Sequence, residues 1–282
     1  MRTRFAPSPT GPLHLGHAFS AMLAHDMARA VGGEFLLRIE DIDQSRARVE
    51  WEDLIYEDLS WLGLTWDGPV MRQSERLDRY RRALDRLWDA SLLFACTCTR
   101  RDVLEAARAP NEATPAVGPD GVVYPGTCRD RKTSATRPRP PRDAALRLDM
   151  AAAVAAAGPI GFEETGEGGA WHAFAAAALV ETVGDVVLAR RDMGTSYHLS
   201  VVIDDAEQEI THVVRGTDLF EATQIHVVLQ RLLGLTTPIY HHHRLIRDDH
   251  GKRLAKRDDA RAIRLYREEG KTPDDIRRMV GL

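Results

Sequence analysis

The chain has 282 residues, 44% apolar and 28% charged, with a formal net charge of −4, which allows one large domain or two ordinary ones around a buried core. The charge excludes a surface that binds nucleic acid all over, although a local basic patch would suffice for RNA. No apolar run approaches the about 18 residues of a membrane span, and the opening MRTRFAPSPTG has no apolar stretch of the secretory type. Three cysteines, all between positions 96 and 128, argue against a disulfide framework and fit a reducing compartment. A cytoplasmic protein without membrane contact is expected.

Residues 2–6 predict a short strand that enters the loop Pro7-Ser8-Pro9-Thr10-Gly11-Pro12. From His17 to Val31 the apolar residues Phe19, Met22, Leu23, Met27 and Ala30 fall at helical spacing, and Gly32-Gly33 stops that helix. Glu34–Ile39 predicts a buried strand. Strand, loop, helix and strand make a βαβ unit, which implies a parallel sheet. Trp51, Leu54, Ile55, Leu59 and Leu62 mark a second helix, and Leu77, Tyr80, Leu84, Leu87 and Trp88 a third; all ten are core positions. Residues 96–142 hold the cysteines, many Gly and Pro, and a basic stretch, and predict an insertion with little regular structure. Regular signals return at 186–203 and 210–215. His226–Leu233 predicts a helix, and 261–282 short amphipathic helices with Ile263, Leu265, Tyr266, Ile276, Met279 and Val280 as apolar positions.

The sequence His14-Leu15-Gly16-His17 sits where the first strand hands over to the first helix. A helix N-terminus presents unpaired N–H groups and a positive dipole end to an anion. Two histidines three apart at that turn can face one pocket and donate to phosphate oxygens as charge develops. Gly16 leaves room for a base or ribose. Alone, this pattern is better read as two unrelated histidines at a helix cap. The preceding residues decide: RFAPSPTGPLHLGH resembles the N-terminal segment of the glutamyl/glutaminyl branch of class I aminoacyl-tRNA synthetases, with their HIGH motif as HLGH. Near the other end, Arg253-Leu254-Ala255-Lys256-Arg257 resembles the family's KMSKS loop, with Arg for the first Lys and Ala for the Ser.

The resemblance implies an α/β fold: a Rossmann-like class I synthetase catalytic core with a parallel sheet, an inserted zinc-binding, acceptor-like subdomain, and a short helical C-terminal segment. The expected divisions are 1–95 and 186–257 for the two catalytic halves, 96–185 for the insertion and 258–282 for the tail. It implies His14, Gly16, His17, Arg253 and Lys256 as the ATP site, with His14, His17 and Lys256 catalytic. Mg²⁺ is expected to accompany ATP. The block SYHLSVVIDDAEQEITHVVRGTDL resembles the family segment between the active-site halves. Arg4, Ser8, Glu40, Tyr197 and Arg215 are the implied glutamate site. Two arginines and one glutamate match the charges of a substrate with two carboxylates and one ammonium. Arg38, Asp41, Asp43, Asp204 and Asp205 read as structural ion pairs.

Cys96, Cys98 and Cys128 fall into one pattern that suits a tetrahedral zinc site better than three buried free thiols. CxC…YxxxC occurs in shortened glutamyl-tRNA-synthetase-like proteins that modify tRNA(Asp), which implies Tyr124 as fourth ligand and one structural Zn²⁺. His241-His242-His243 on a strand would point to alternating faces and could not share one ion. Arg129, Arg131, Lys132, Arg137, Arg139 and Arg142 are candidate phosphate contacts, no more favoured than a solvated loop. Only 26 residues follow Lys256, too few for a substantial anticodon-binding domain. The whole chain therefore resembles the shortened members, which activate L-glutamate with ATP and attach it to the queuosine base of tRNA(Asp); a monomer is expected. The alternatives are a minimal enzyme charging a tRNA 3′ end, a small-molecule ligase on the same fold, and a non-catalytic RNA-binding relative.

Overall fold

The structure, a computed structural model, describes residues 1–108, 114–131, 143–247 and 261–282. In chain order the elements are β1 (Arg2–Phe5), α1 (Leu15–Arg29), β2 (Glu34–Ile39), α2 (Val49–Trp61), β3 (Met71–Arg72), α3 (Leu77–Asp89), β4 (Leu93–Cys96), α4 (Arg100–Arg108), β5 (Val117–Gly118), β6 (Gly121–Val122), β7 (Ala145–Leu148), α5 (Met150–Ala157), β8 (Ile160–Glu163), β9 (Trp171–Phe174), α6 (Ala176–Thr182), β10 (Val187–Ala189), α7 (Tyr197–Glu207), β11 (His212–Gly216), α8 (Thr223–Leu233), β12 (Ile239–His243), α9 (Ile263–Glu268) and α10 (Pro273–Val280).

The expected βαβ unit is present. β1 pairs parallel with β2, Arg4 opposite Leu36, and β2 pairs parallel with β3. β11 pairs parallel with β12 in a second group, Arg215 opposite His242. The two groups meet at β1, where Thr211 donates its N–H to the Arg2 carbonyl at 3.0 Å. The spatial order is thus β3-β2-β1-β11-β12. β1 is flanked on one side by a strand close in sequence and on the other by one two hundred positions on. In open α/β sheets the crevice at such a switch point, outside the carboxyl ends of the strands, is where ligands bind.

A core around Phe5, Ala18, Met22, Phe35, Leu37, Ile55 and Leu59 fills the space between this sheet, α1 and α2. Ile263, Ile276 and Val280 join it, so the tail packs back on the first half. Leu265 and Met279, expected to be apolar contacts, are instead 39% and 46% exposed: each lies on the outer face of a short helix whose inner face already fills the groove. A second core joins α3, α5, β8, α7 and α8 through Tyr80, Leu84, Trp88, Val154, Phe162, Leu199 and Leu229.

The insertion is more regular than expected. α4 occupies residues 100–108, and β5 and β6 form a small antiparallel hairpin. Between 145 and 182, where no element was expected, lie β7, α5, β8, β9 and α6. The antiparallel sheet β4-β7-β10 ties together chain on both sides of the expected boundaries at 95/96 and 185/186. Among the described residues no helix is long and apolar enough to cross a membrane.

Candidate active site

A cavity of about 350 Å³ opens at the carboxyl ends of β1 and β11. Arg4 and Phe5 reach it from the end of β1, Ser8 and Thr10 from the following loop, and Glu40 from the residue after β2. Tyr197 enters from the first position of α7, Arg215 and Gly216 from the end of β11, and His17 and Ser20 from α1. The five residues expected to hold an amino acid therefore line one cavity. Parallel pairing is the cause: it brings the C-terminal ends of strands remote in sequence to one edge.

The charges are arranged in two tiers. Arg4 donates from Nε to Asp205 Oδ1 at 2.9 Å and from Nη2 to Oδ2 at 3.2 Å. Arg38, fully buried, donates to the same Oδ1 at 2.7 Å, to Gln208 Oε1 at 2.9 Å, and to Glu40 Oε1 at 3.1 Å. Burial alone would raise the Asp205 carboxyl, but Arg4 and Arg38 outweigh it and hold it below the ordinary range. Burial wins at Glu40, whose carboxyl stays above its ordinary value despite Arg38 and Arg4. Among the groups that line the cavity, Arg4 and Arg215 against Glu40 leave one positive charge, the complement of a ligand with two carboxylates and an ammonium. Asp204 belongs to the frame: it accepts from Gln73, Arg76 and Tyr80, each at 2.8 Å. Asp41 accepts the Ser74 N–H at 2.8 Å and Asp43 the Ser45 hydroxyl at 2.6 Å. Arg38, Asp204 and Asp205 are thus in ion pairs as expected, whereas Asp41 and Asp43 accept from serine groups instead, and Arg38 and Asp205 also set the charge beside the cavity.

Arg215 is held differently. It donates from Nε to His242 Nε2 at 3.2 Å, from Nη1 to His226 Nδ1 at 3.1 Å, and from Nη2 to Thr223 Oγ1 at 2.7 Å and the Leu219 carbonyl at 3.2 Å. His242 passes the chain on to Glu164 through Nδ1. Burial, then the Arg215 cation, push His242 down to about 4 and hold His226 well below its ordinary value. His241 bonds Thr165 and His243 bonds Ser20, so the three neighbouring histidines share no ion. No local motif signals that His242 reaches Arg215; register in a parallel pair, with Arg215 opposite His242, produces that contact.

The HLGH turn caps α1. His14 is the N-cap; its Nδ1 accepts the Gly16 N–H at 3.1 Å, while its own N–H donates to His17 Nδ1 at 3.2 Å. The ring centroids are 3.8 Å apart. A neutral imidazole that accepts at Nδ1 carries its proton on Nε2, so each ring presents an N–H donor. A Cβ on Gly16 would lie 3.0 Å from the His14 ring; here the glycine makes room for the histidine, beyond any room for a ligand. The chain returns to this turn: Ile263 donates its N–H to the Leu13 carbonyl at 2.9 Å, and Ala262 bridges to His14. Arg253, Ala255 and Lys256 lie outside the described residues.

Cys96, Cys98 and Cys128 place their sulfurs within 4.8 Å of one another. Tyr124 Oη lies 3.5 Å from Cys96 Sγ and 3.6 Å from Cys98 Sγ, and Cys98 and Cys128 are 3.5 Å apart. Zinc–sulfur bonds of about 2.3 Å at tetrahedral angles put sulfurs roughly 3.8 Å apart, so the four donors fit such an ion. Burial pushes the Cys98 thiol up to about 11; a divalent cation is what would draw thiolates from this cluster. Phe94, Val103 and Val122 pack around it, and the Arg147 guanidinium sits 3.9 Å above the Tyr124 ring. Of the basic stretch, Arg129 is spoken for by Asp185 at 2.8 Å, which makes it a strut rather than an open phosphate contact. Lys132, Arg137, Arg139 and Arg142 fall outside the described residues, and the Arg131 side chain is likewise not described.

A parallel sheet with its cavity at the switch point, an HLGH turn capping the first crossover helix and a two-arginine pocket together define a class I synthetase catalytic fold. Residues 1–282 match the family described as tRNA synthetases class I (E and Q), catalytic domain, and the chain belongs to that family. It is 64% identical over 286 residues to a glutamyl-Q tRNA(Asp) synthetase of Rhodobacter capsulatus, covering the whole of both chains. A protein of the same name from Nocardia farcinica is 43% identical over 276 residues, covering 97% of this chain and 81% of that one. The crystal structure of a glutamate tRNA ligase from Elizabethkingia meningosepticum in complex with its amino acid superposes with a TM-score of 0.77 at 30% identity. The chain spans 60% of the length of that ligase.

Proposed function

We propose that the chain is a ligase that activates L-glutamate with ATP and transfers it to the queuosine base of tRNA(Asp). The observation that carries the amino-acid part is the single cavity lined by Arg4, Ser8, Glu40, Tyr197 and Arg215. Its one net positive charge favours glutamate over glutamine, which would leave a cation unpaired. The RNA target is supported by the full-length likeness to the Rhodobacter capsulatus protein.

In the first step the substrate's α-carboxylate oxygen attacks the α-phosphorus of ATP, and pyrophosphate leaves with the electrons of the broken P–O bond. Mg²⁺ arriving with ATP would neutralise charge on the leaving phosphates. Arg4 and Arg215 are assigned to the carboxylates and Glu40 to the ammonium. His14 and His17 are assigned to phosphate oxygens, where Nε2–H donors count most as charge builds up. Lys256, with Arg253, is assigned to the triphosphate. In the second step an RNA hydroxyl attacks the acyl carbon of the mixed anhydride and AMP leaves. Neither step needs a protein nucleophile; orientation and charge placement carry the rate. Cys96, Cys98, Tyr124 and Cys128 are assigned to one structural Zn²⁺, and the chain is assigned to the cytoplasm as a monomer.

Exchange of labelled pyrophosphate into ATP tests the first step. Exchange that depends on glutamate and not on glutamine is the expected result; equal exchange with both would overturn the charge assignment.

A further inference from the structure

We infer that Asp120, in the β5–β6 turn of the insertion, positions Arg215 through His198 and His226, so that the insertion tunes how tightly the cavity holds a carboxylate. This inference rests on the assignment of Arg215 to the substrate.

The chain of contacts is continuous. Arg215 Nη1 lies 3.1 Å from His226 Nδ1, His226 Nε2 lies 3.1 Å from His198 Nδ1, and His198 Nε2 lies 3.3 Å from Asp120 Oδ1. A guanidinium only donates. His226 must therefore accept at Nδ1, which leaves its proton on Nε2. His198 must then accept at Nδ1 and donate from Nε2 to Asp120. One arginine fixes both tautomers, and the carboxylate at the far end fixes the direction of the chain. The other branch, from Arg215 through His242 to Glu164, obeys the same logic.

The consequence is electrostatic. Among the described residues the hydrogen bonds of Arg215 go to two imidazoles, a hydroxyl and a carbonyl, and none to a carboxylate. Arg4 and Arg38, in contrast, share Asp205 directly. Neutral imidazoles orient Arg215 while keeping the compensating carboxylates one or two rings away, so its charge still faces the cavity. The histidine pair also supports the cavity wall, with the Tyr197 ring centroid 5.5 Å from His198 and 5.6 Å from His226. Asp120 is the member furthest from the cavity: it does not line it and is 34% exposed at its side chain. Its removal need not disturb the core.

The test compares the intact protein with Asp120→Ala, Asp120→Asn and His226→Leu. Asp120→Ala and His226→Leu are expected to raise the KM for glutamate about tenfold, the size of a lost hydrogen bond to a charged group, with the KM for ATP unchanged. Asp120→Asn keeps an acceptor and is expected to restore most of the affinity. A glutamate KM unmoved by Asp120→Ala, or a KM for ATP that rises with it, overturns the inference. Nitrogen-15 spectra of the histidine rings give a readout independent of catalysis. His226 and His198 are expected as Nε2–H tautomers at neutral pH, and Asp120→Ala is expected to shift both. An Nδ1–H tautomer at either, or a His226 signal indifferent to Asp120→Ala, overturns the inference even if the chain activates no glutamate; absence of glutamate-dependent exchange in the unaltered protein would count against the proposed function instead.

Discussion

Arg4 Nε lies 2.9 Å from Asp205 Oδ1, a buried contact between residues 201 positions apart that ties β1 to α7 beside the cavity. Because Arg38 shares the same carboxylate at 2.7 Å, loss of Asp205 would strip the buried Arg4 of its ion-pair partner and leave Arg38 with Glu40 alone. Asp205→Ala is expected to lower the unfolding free energy by about 3–5 kcal/mol, the usual result of breaking a buried pair from one side. Urea titration measures it. A loss under about 1 kcal/mol, the scale of an exposed pair, would mean that the arginines find other partners.

His17 lines the cavity and accepts the His14 N–H. His17→Ala is expected to lower kcat in pyrophosphate exchange by about 10²-fold, as for removal of one preorganised donor to a developing charge. The KM for glutamate should hardly move. A raised glutamate KM with kcat intact would place His17 in amino-acid binding instead.

The cysteine cluster predicts about one zinc per chain by elemental analysis. Cys98→Ala should abolish it, and Tyr124→Phe should weaken it, since Tyr124 Oη also holds the Cys128 N–H at 2.8 Å. Full zinc occupancy in Cys98→Ala would rule out the cluster as the metal site.

His242 is driven down to about 4 by burial and by Arg215, from an ordinary value of 6.5. The unfolded chain therefore binds more protons between those values. The stabilising contribution is complete above pH 6.5 and is lost as pH falls towards 4, with an upper size on the order of 3 kcal/mol. Stability measured across pH 4–7 should show this slope in the unaltered protein and a shallower one in His242→Asn. Equal slopes would assign the acid sensitivity elsewhere.

Much of the site was readable in the sequence because it rests on short motifs. The strand, HLGH turn and helix follow from local spacing, and the parallel sheet from the βαβ order. CxC and YxxxC supplied a donor set that the fold brings together. What escaped was set by contacts distant in sequence. Asp205 pairs with Arg4 and Arg38 only because the end of α7 lies against β1 and β2. His198 and His226 lie on successive helices, and their meeting depends on how α7 packs against α8. The elements between 145 and 182 escaped for another reason. Runs such as Ala151-Ala152-Ala153-Val154-Ala155-Ala156-Ala157 are apolar all round, so they carry no periodic face.

The central claim is tested most directly by offering the purified protein ATP and labelled glutamate with three RNAs: tRNA(Asp) containing queuosine, the same tRNA lacking it, and tRNA(Glu). The account predicts label on the first alone. Label on tRNA(Glu), with none on queuosine-containing tRNA(Asp), would contradict it and make the chain a 3′-end synthetase.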